Sequence, residues 1–250
     1  MVSKAKIKLV RSLEKKKYRD EFQLFVAEGN KLVADLIQTF ECEWMLAKTS
    51  WLATQGNLLA KEIELAEEND INKISLLKSP QDVLAIFKQP DYQLKNINPT
   101  NQLILALDGI QDPGNLGTII RLADWFGIEQ IICSLDTVDA FGPKTVQASM
   151  GAIARVKVHY TDLGEYLMSC QSPIYGTFLN GDNLYTKEIT QNGIIVLGNE
   201  GNGIRSTVEK IINQRIFIPN YPIERDTSES LNVATAAAII CAEFRRRCSY

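Results

Sequence analysis

Three stretches of the chain gather small and polar residues in patterns that could do chemistry. The first, Asp108-Gly109-Ile110-Gln111-Asp112-Pro113-Gly114-Asn115-Leu116-Gly117, leads into an apolar run that carries Arg121. The second is Gly198-Asn199-Glu200-Gly201-Asn202-Gly203, and the third is Ser230-Leu231-Asn232-Val233-Ala234. In the first, a Gly/Pro-rich loop enters a helix expected over 116–126. Asn115 is placed to cap that helix, and Arg121 projects from one of its faces. A cap and a surface ion pair would account for both residues without any ligand. In the second, the glycine spacing fits neither G-x-G-x-x-G nor a P-loop. A tight turn explains three glycines, because glycine tolerates positive φ. The carboxylate of Glu200 has little to offer a turn and could face a bound group.

These stretches need elements that present them together. Leu103–Leu107, Ile194–Leu197 and Ile216–Ile218 are short, β-branched or leucine-rich runs bounded by turn residues, so each reads as a buried strand. The loop after the last of them spans Pro219 to Ser230. In open α/β sheets ligands sit at the carboxyl ends of strands, which makes such neighbouring loops a plausible cofactor cradle. Between them the alternation continues. Strands are expected at Gln130–Cys133, Arg155–His159 and Ile174–Phe178, the last followed by a turn over Leu179–Asp182. Helices are expected from Pro143 to about Ser149, over Leu163–Ser169 and over Leu231–Arg247.

The first ninety residues form a separate pattern. Residues 4–19 read as one basic helix with Ile7, Val10 and Leu13 on one side. Strand Phe25–Gly29, helix Asn30–Phe40, strand Trp44–Ala47, a helical pattern within Glu67–Leu77 and strand Val83–Phe87 follow, as in a small α/β domain. A stretch rich in Pro and Asn then breaks every periodicity and reads as a linker. The expected organisation is a substrate-binding domain over 1–90, a linker over 91–102 and a larger α/β domain over 103–250.

Composition bounds the function. Of 250 residues, 45% are hydrophobic and 23% charged, as in ordinary globular proteins. No apolar run approaches a membrane span, and Met1-Val2-Ser3-Lys4 lacks the apolar core of a secretory signal. Cysteines 42, 133, 170, 241 and 248 form no C-x-x-C, and His159 is the only histidine. That argues against a zinc site and for free thiols in a reducing cytosol. His159 lies in a strand-like run and is expected to be structural rather than a general base. The net charge of −3 argues against wholesale polyanion binding, but its sign is uneven. Lys4, Lys6, Lys8, Arg11, Lys15, Lys16, Lys17 and Arg19 crowd the start, as a solvated helix face or as a phosphate-binding arm. Arg245, Arg246 and Arg247 close the last helix, where they suit its dipole.

Taken in order, Asn115-x-Gly117-x-x-x-Arg121, Gly198-Asn199-Glu200-Gly201-x-Gly203 and Ser230-Leu231-Asn232-Val233-Ala234 resemble the three motifs of the SpoU (TrmH-type) RNA ribose methyltransferases of the SPOUT superfamily. Gln147-Ala148-Ser149-Met150-Gly151-Ala152 resembles that family's stretch between the first and second motifs, with Met150 where many members have a small residue. The resemblance covers about residues 103–244, and the amino-terminal part looks like the small substrate-binding domain often attached.

The resemblance implies a carboxyl-terminal α/β-knot domain with a deep trefoil knot, which no pattern of periodicity would suggest. It implies S-adenosylmethionine as cofactor, held by Thr177, Leu197, Gly198, Gly201, Ile218, Pro219, Ser230 and Leu231. It implies methyl transfer to a ribose 2′-hydroxyl with Arg121, Asn115, Glu200, Ser230 and Asn232 at the reaction, in a homodimer whose site takes parts from both chains. Neither metal nor membrane is called for, and the location is cytoplasmic. Ribosomal RNA is favoured over transfer RNA by the size of the amino-terminal domain. Arg121 is either the base that deprotonates the hydroxyl or a bidentate clamp on a neighbouring phosphate that stabilises the emerging alkoxide. The second fits a guanidinium better, since that group keeps its proton almost everywhere. Asn115 would orient Arg121 or the ribose, and Glu200 the first-motif helix or the incoming nucleotide. Ser230 and Asn232 would hold the cofactor's methionine end and the target ribose. Two rivals stand beside this reading: a nicotinamide-dependent oxidoreductase, disfavoured by the glycine spacing, and a non-catalytic RNA-binding factor on the same fold.

Overall fold

A computed structural model of the chain describes residues 1–222, 225 and 230–248. They divide into two compact units, Met1–Asp91 with Asp139–Ala154, and Tyr92–Val138 with Arg155–Tyr250.

The first unit contains α1 (Lys4–Ser12), α2 (Lys16–Phe22), β1 (Leu24–Glu28), α3 (Asn30–Leu36), β2 (Cys42–Ala47), α4 (Thr49–Leu52), β3 (Ile63–Leu65), α5 (Glu68–Ile74) and β4 (Val83–Lys88). Its sheet has the order β1-β4-β2-β3, antiparallel except for the β2–β3 pair. Val10 and Leu13 join Val26, Trp44, Leu46, Ile71, Ile74, Leu84 and Ile86 in one core. A second cluster packs Phe25 edge-on to Phe40, stacked on Phe87 and tilted against Phe141.

The basic stretch is two helices, not one. Leu13 is fully buried, and Arg19 is 4% exposed with its guanidinium on Asp139 Oδ2 (Nε, 2.7 Å) and Leu13 O (Nη1, 2.7 Å). Six residues along a continuous helix would separate these two side chains by about 120°. The chain breaks at 13–15 so that both turn inward.

Asp139–Ala154 belongs to the first unit although the sequence reading runs 103–250 as one stretch. Asp139 binds Arg19, Phe141 packs on Phe25 and Phe40, and a Cβ at Gly151 would strike Asp35. The stretch carries α7 (Pro143–Ser149), as its first-turn proline indicates.

The second unit holds β5 (Leu103–Asp108), α6 (Pro113–Trp125), β6 (Gln130–Ser134), β7 (Lys157–Thr161), α8 (Leu163–Met168), β8 (Ile174–Asn183), β9 (Gly193–Gly198), α9 (Ser206–Glu209), β10 (Gln214–Phe217) and α10 (Val233–Arg246). Its six strands are all parallel, in the order β10-β8-β9-β5-β6-β7. Every residue of β5, β6 and β9 is buried, the pattern of a parallel sheet covered on both faces. Ile104, Ala106, Ile132, Ile194 and Val196 pack with Leu163, Leu167 and Val208 of α8 and α9. The alternate residues face the opposite side, where α6 and α10 pack together.

The third-motif helix begins at Val233 and the strand near His159 is shifted to Lys157–Thr161, each two residues from expectation. His159 is buried with Nε2 2.9 Å from Gln130 Oε1, and burial pushes its pKa down. All five cysteines are unbridged. No helix among the described residues is long and apolar enough to cross a membrane. The implied knot depends on the path of 219–230, of which 223, 224 and 226–229 lie outside the described residues.

The terminal arginines have structural partners. Arg245 donates to the carbonyls of Phe126 (2.7 Å) and Gly127 (3.0 Å), capping the end of α6. Glu243, 5% exposed, accepts from Arg246 and Arg247 at 2.7–2.8 Å, and Arg247 also donates to Leu184 O (2.7 Å). The hydrogen bonds from Arg246 and Arg247 hold the Glu243 carboxyl down to a pKa of about 2, against an ordinary 4.5. A lowered folded pKa gives stability that is present above pH 4.5 and lost as pH falls toward 2. Glu243→Gln is therefore expected to lower Tm by roughly 2–4 °C at pH 7, and the gap to the unaltered chain should narrow as thermal scans are taken below pH 4.5.

Candidate active site

Strands β8, β9 and β10 run parallel and adjacent in the second unit, so their carboxyl ends open on one side of the sheet. There a cavity of about 770 Å³ is enclosed by residues 177–180, 197–204 and 216–218, by Glu209, and by Ser230, Leu231, Val233, Ala236 and Ile240. Its lining mixes strand ends, loop residues and apolar side chains of α10, and Glu200 and Glu209 are its carboxylates.

The second-motif loop is built by its own backbone and by Asn199. The Asn199 and Gly203 main chains exchange two hydrogen bonds (3.0 and 2.9 Å), and Gly203 takes φ +67° to close the turn. A Cβ at Gly198 would overlap the backbone of Gly203 and Ile204, so this glycine is required by close approach. Gly201 differs. Its φ is not positive, and a Cβ there would meet only Asn199 Oδ1 at 3.6 Å. Asn199 Oδ1 accepts from the amides of Gly201 (2.9 Å) and Asn202 (3.0 Å), while its Nδ2 donates to Gly109 O (2.8 Å). One side chain thus shapes the second-motif loop and ties it to the first.

A second tie lies beneath. Asp108, at the end of β5, is fully buried. It accepts from the Arg205 backbone amide (2.8 Å) and Nε (2.7 Å), and Arg205 Nη2 closes the ion pair. The same guanidinium reaches Asp136 at 3.3 Å. A hydrogen bond from Ser134, aided by Arg205, holds the Asp136 carboxyl below its usual range. The Asp108 contact raises the guanidinium above its own.

The three motifs meet in a chain of side-chain hydrogen bonds. Asn232 Nδ2 donates to Asn115 Oδ1 (2.9 Å), and Asn115 Nδ2 donates to Glu200 Oε1 (2.8 Å). Both asparagines are fixed locally. Asn232 caps α10, its Oδ1 accepting from Ala234 (3.0 Å) and Thr235 (3.2 Å). Asn115 is not the cap of its helix, as the sequence suggested. Pro113 at the first turn starts α6 earlier, and Asp112 caps it by accepting from the Asn115 amide (2.8 Å). This frees the Asn115 side chain to bridge.

Of the residues singled out in the sequence, Thr177, Leu197, Gly198, Glu200, Gly201, Ile218, Ser230 and Leu231 line the cavity. Asn115 and Asn232 are joined to it through Glu200. Pro219 does not line it, and neither does Arg121. Arg121 is exposed on the same face of α6 as Thr118 and Trp125, the latter 83% exposed. Sequence reasoning missed the roles of Asp108, Arg205 and Asn199. A carboxylate closing the apolar run Leu103–Leu107 was the available signal, because a buried charge demands a partner. Nothing pointed to a partner 97 positions away. No cluster of His, Cys, Asp and Glu among the described residues could hold a metal ion.

Comparison with known proteins agrees with this geometry. The family model of the SpoU rRNA Methylase family matches residues 102–242, and that of the MRM3-like substrate binding domain matches residues 4–85. The chain is 29% identical over 246 residues to the 23S rRNA (guanosine(2553)-2′-O)-methyltransferase of Bacillus subtilis, covering 96% of each. A solved TrmH-family protein from Porphyromonas gingivalis shares its fold with a TM-score of 0.90 at 40% identity, over 99% of both chains. The AdoMet-bound rRNA methyltransferase of Sinorhizobium meliloti does so with a TM-score of 0.85 at 29% identity, over 100% of this chain and 97% of that one. Matched over more than half its length, with its second and third motifs lining one cavity and its first joined to them by Asn115, the chain belongs to the SpoU rRNA methylase family, whose methyl donor is S-adenosylmethionine.

Proposed function

We propose that this chain transfers the methyl group of S-adenosylmethionine to a ribose 2′-hydroxyl of ribosomal RNA. The observation that carries this reading is the Asn232–Asn115–Glu200 hydrogen-bond chain, which ties the three motifs, distant in sequence, to one another and through Glu200 to one cavity. The cavity fits the cofactor. Its volume lies in the range of small-molecule sites. Its loops offer backbone polar groups, and Gly201 leaves space where a side chain would stand. When bound, the cofactor supplies an already electrophilic methyl group, so the protein's work is alignment.

The alignment falls to this chain's own groups. Thr177, Leu197, Gly198, Gly201, Ile218 and Leu231 enclose the donor, with Pro219 at the edge. Asn115 holds Glu200 by one oxygen, leaving Oε2 for a hydroxyl or base of the incoming nucleotide. Ser230 and Asn232 stand where the ribose would meet the donor. Arg121 grips a phosphate beside the target ribose and stabilises the alkoxide as the hydroxyl gives up its proton to solvent.

Arg121 lies outside its own chain's cavity, on a face that also exposes Trp125. An exposed indole beside a candidate catalytic cation suits a covered face, and supports a homodimer in which Arg121 serves the neighbouring chain's site. The amino-terminal domain would bind RNA, with Lys4, Lys8, Lys15 and Lys17 exposed for phosphate contacts. Ribosomal RNA is favoured by the full-length relative that modifies 23S rRNA.

Two measurements test this. Asn115→Asp is nearly isosteric but sets a carboxylate 2.8 Å from Glu200 in place of a donor. It should reduce methyl transfer to total RNA by about a hundredfold, more than Asn115→Ser, and near-normal transfer by Asn115→Asp would remove the hydrogen-bond chain from the mechanism. Arg121→Ala and Glu200→Ala should each be inactive alone. After subunit exchange, an equal mixture should regain about a quarter of normal activity, because one site in each mixed dimer is intact. No recovery would place Arg121 and Glu200 in the same chain's site.

A further inference from the structure

The cavity wall at residues 177–180 is an interruption of a strand. Gln214 lies opposite Tyr175 and Arg215 opposite Gly176, yet the next residue, Ile216, lies opposite Asp182. One step along β10 therefore spans six along β8, and residues 177–181 leave the ladder. Both ends of this excursion are pressed against neighbours. A Cβ at Gly176 would fall 2.7 Å from Phe178 Cε2, and one at Gly181 2.6–2.8 Å from the Ile216 backbone. Its middle lies open to solvent at Leu179, which is 70% exposed.

Arg215, at the step itself, holds that middle. Its guanidinium carbon stands 3.6 Å from the centre of the Phe178 ring. Its Nη2 donates to Asn180 Oδ1 at 2.7 Å, and its Nη1 to Glu209 Oε1 at 2.7 Å. Phe178, Asn180 and Glu209 all line the cavity, while Arg215 stands behind them. A half-exposed ion pair with Glu209 would by itself contribute little to stability. Its consequence is geometric, because one planar group fixes a ring face, an amide and a carboxylate at once.

We infer that Arg215 is a positioning residue for the methyl donor, keeping the Phe178–Asn180 wall in its binding shape before the donor arrives. The inference rests on the reading of the cavity as the S-adenosylmethionine site. Preorganisation of this kind is felt in affinity, since a loosened wall must be ordered again on binding. Lysine would keep the charge near Glu209 but lacks the flat fork that reaches ring and amide together.

The test is calorimetric titration with S-adenosylhomocysteine of the full chain, Arg215→Ala, Arg215→Lys and Asn180→Ala, with ligand-free thermal midpoints. Arg215→Ala should weaken binding by about tenfold, with Arg215→Lys and Asn180→Ala in between, and midpoints should stay within about 2 °C of the unaltered chain. In turnover, the loss should fall on KM for S-adenosylmethionine rather than on kcat. Unchanged affinity in Arg215→Ala and Asn180→Ala would overturn the inference while leaving the cavity's assignment intact. If Arg215→Ala does not fold, the other two variants decide on the same criterion. No binding by the unaltered chain would overturn the assignment itself, and this inference with it.

Discussion

A fully buried carboxylate at the end of β5 is the constraint on which the site depends. Asp108 has no access to water, so it is tolerable only if its oxygens are satisfied within the protein. Arg205 meets that need with a backbone amide and a guanidinium. The segment that follows the second-motif loop is thereby clamped to the strand that precedes the first-motif loop. Asn199 repeats the tie a few ångströms of chain away, between the loop itself and Gly109. With those two attachments made, Glu200 comes within reach of Asn115, and Asn115 within reach of Asn232. The inner layer is ionic and centred on a buried carboxylate, the outer layer more open and neutral on two of its three members. The first gives rigidity, and the second leaves groups that can be reached by a large substrate.

The distribution of positive charge follows a similar division. In the sequence Arg19 belongs to a basic run that reads as a solvated face or a phosphate-binding arm, and Arg245, Arg246 and Arg247 read as partners of the last helix dipole. Each has acceptors within the fold, on Asp139, on the carbonyls of Phe126 and Gly127 just past α6, or on Glu243. Arginine suits these places because its fork satisfies several acceptors with fixed geometry. Lys4 and Lys8 of α1 and Lys15 in the turn after it stay exposed and suit a polyanion, whose contacts need charge more than direction. In a chain of net charge −3, such local surplus is what an RNA would meet.

How much of this was legible beforehand varies with the range of the interaction. The strands Leu103–Leu107, Gln130–Cys133 and Ile194–Leu197 were plain because parallel strands covered on both faces are continuously apolar. Helix α7 was plain from its proline. The short elements α4, α9 and β3 were not, because three or four residues carry no period to detect. The break between α1 and α2 was hidden for another reason: it answers to Asp139, more than a hundred residues on. In the site, residue types and motif order singled out eight of the residues that line the cavity. The bridging of Asn115, the clamp on Asp108 and the interruption of β8 at Arg215 had no local signature.

The sequence by itself determined which loops are rich in glycine and polar groups, which strands must be buried to present them, and which family pattern they follow, because glycine geometry, apolar continuity and motif order are all properties of neighbouring residues. Only the tertiary structure decided that Asp108 pairs with Arg205, that Asn115 is a bridge and not a cap, that Asp139–Ala154 joins the first unit, and that Arg121 lies outside its own chain's cavity. Those outcomes depend on desolvation and hydrogen-bond satisfaction between groups far apart in the chain. Which partner a buried charge finds is fixed by how the sheet is ordered, and strand order is not written in any one strand.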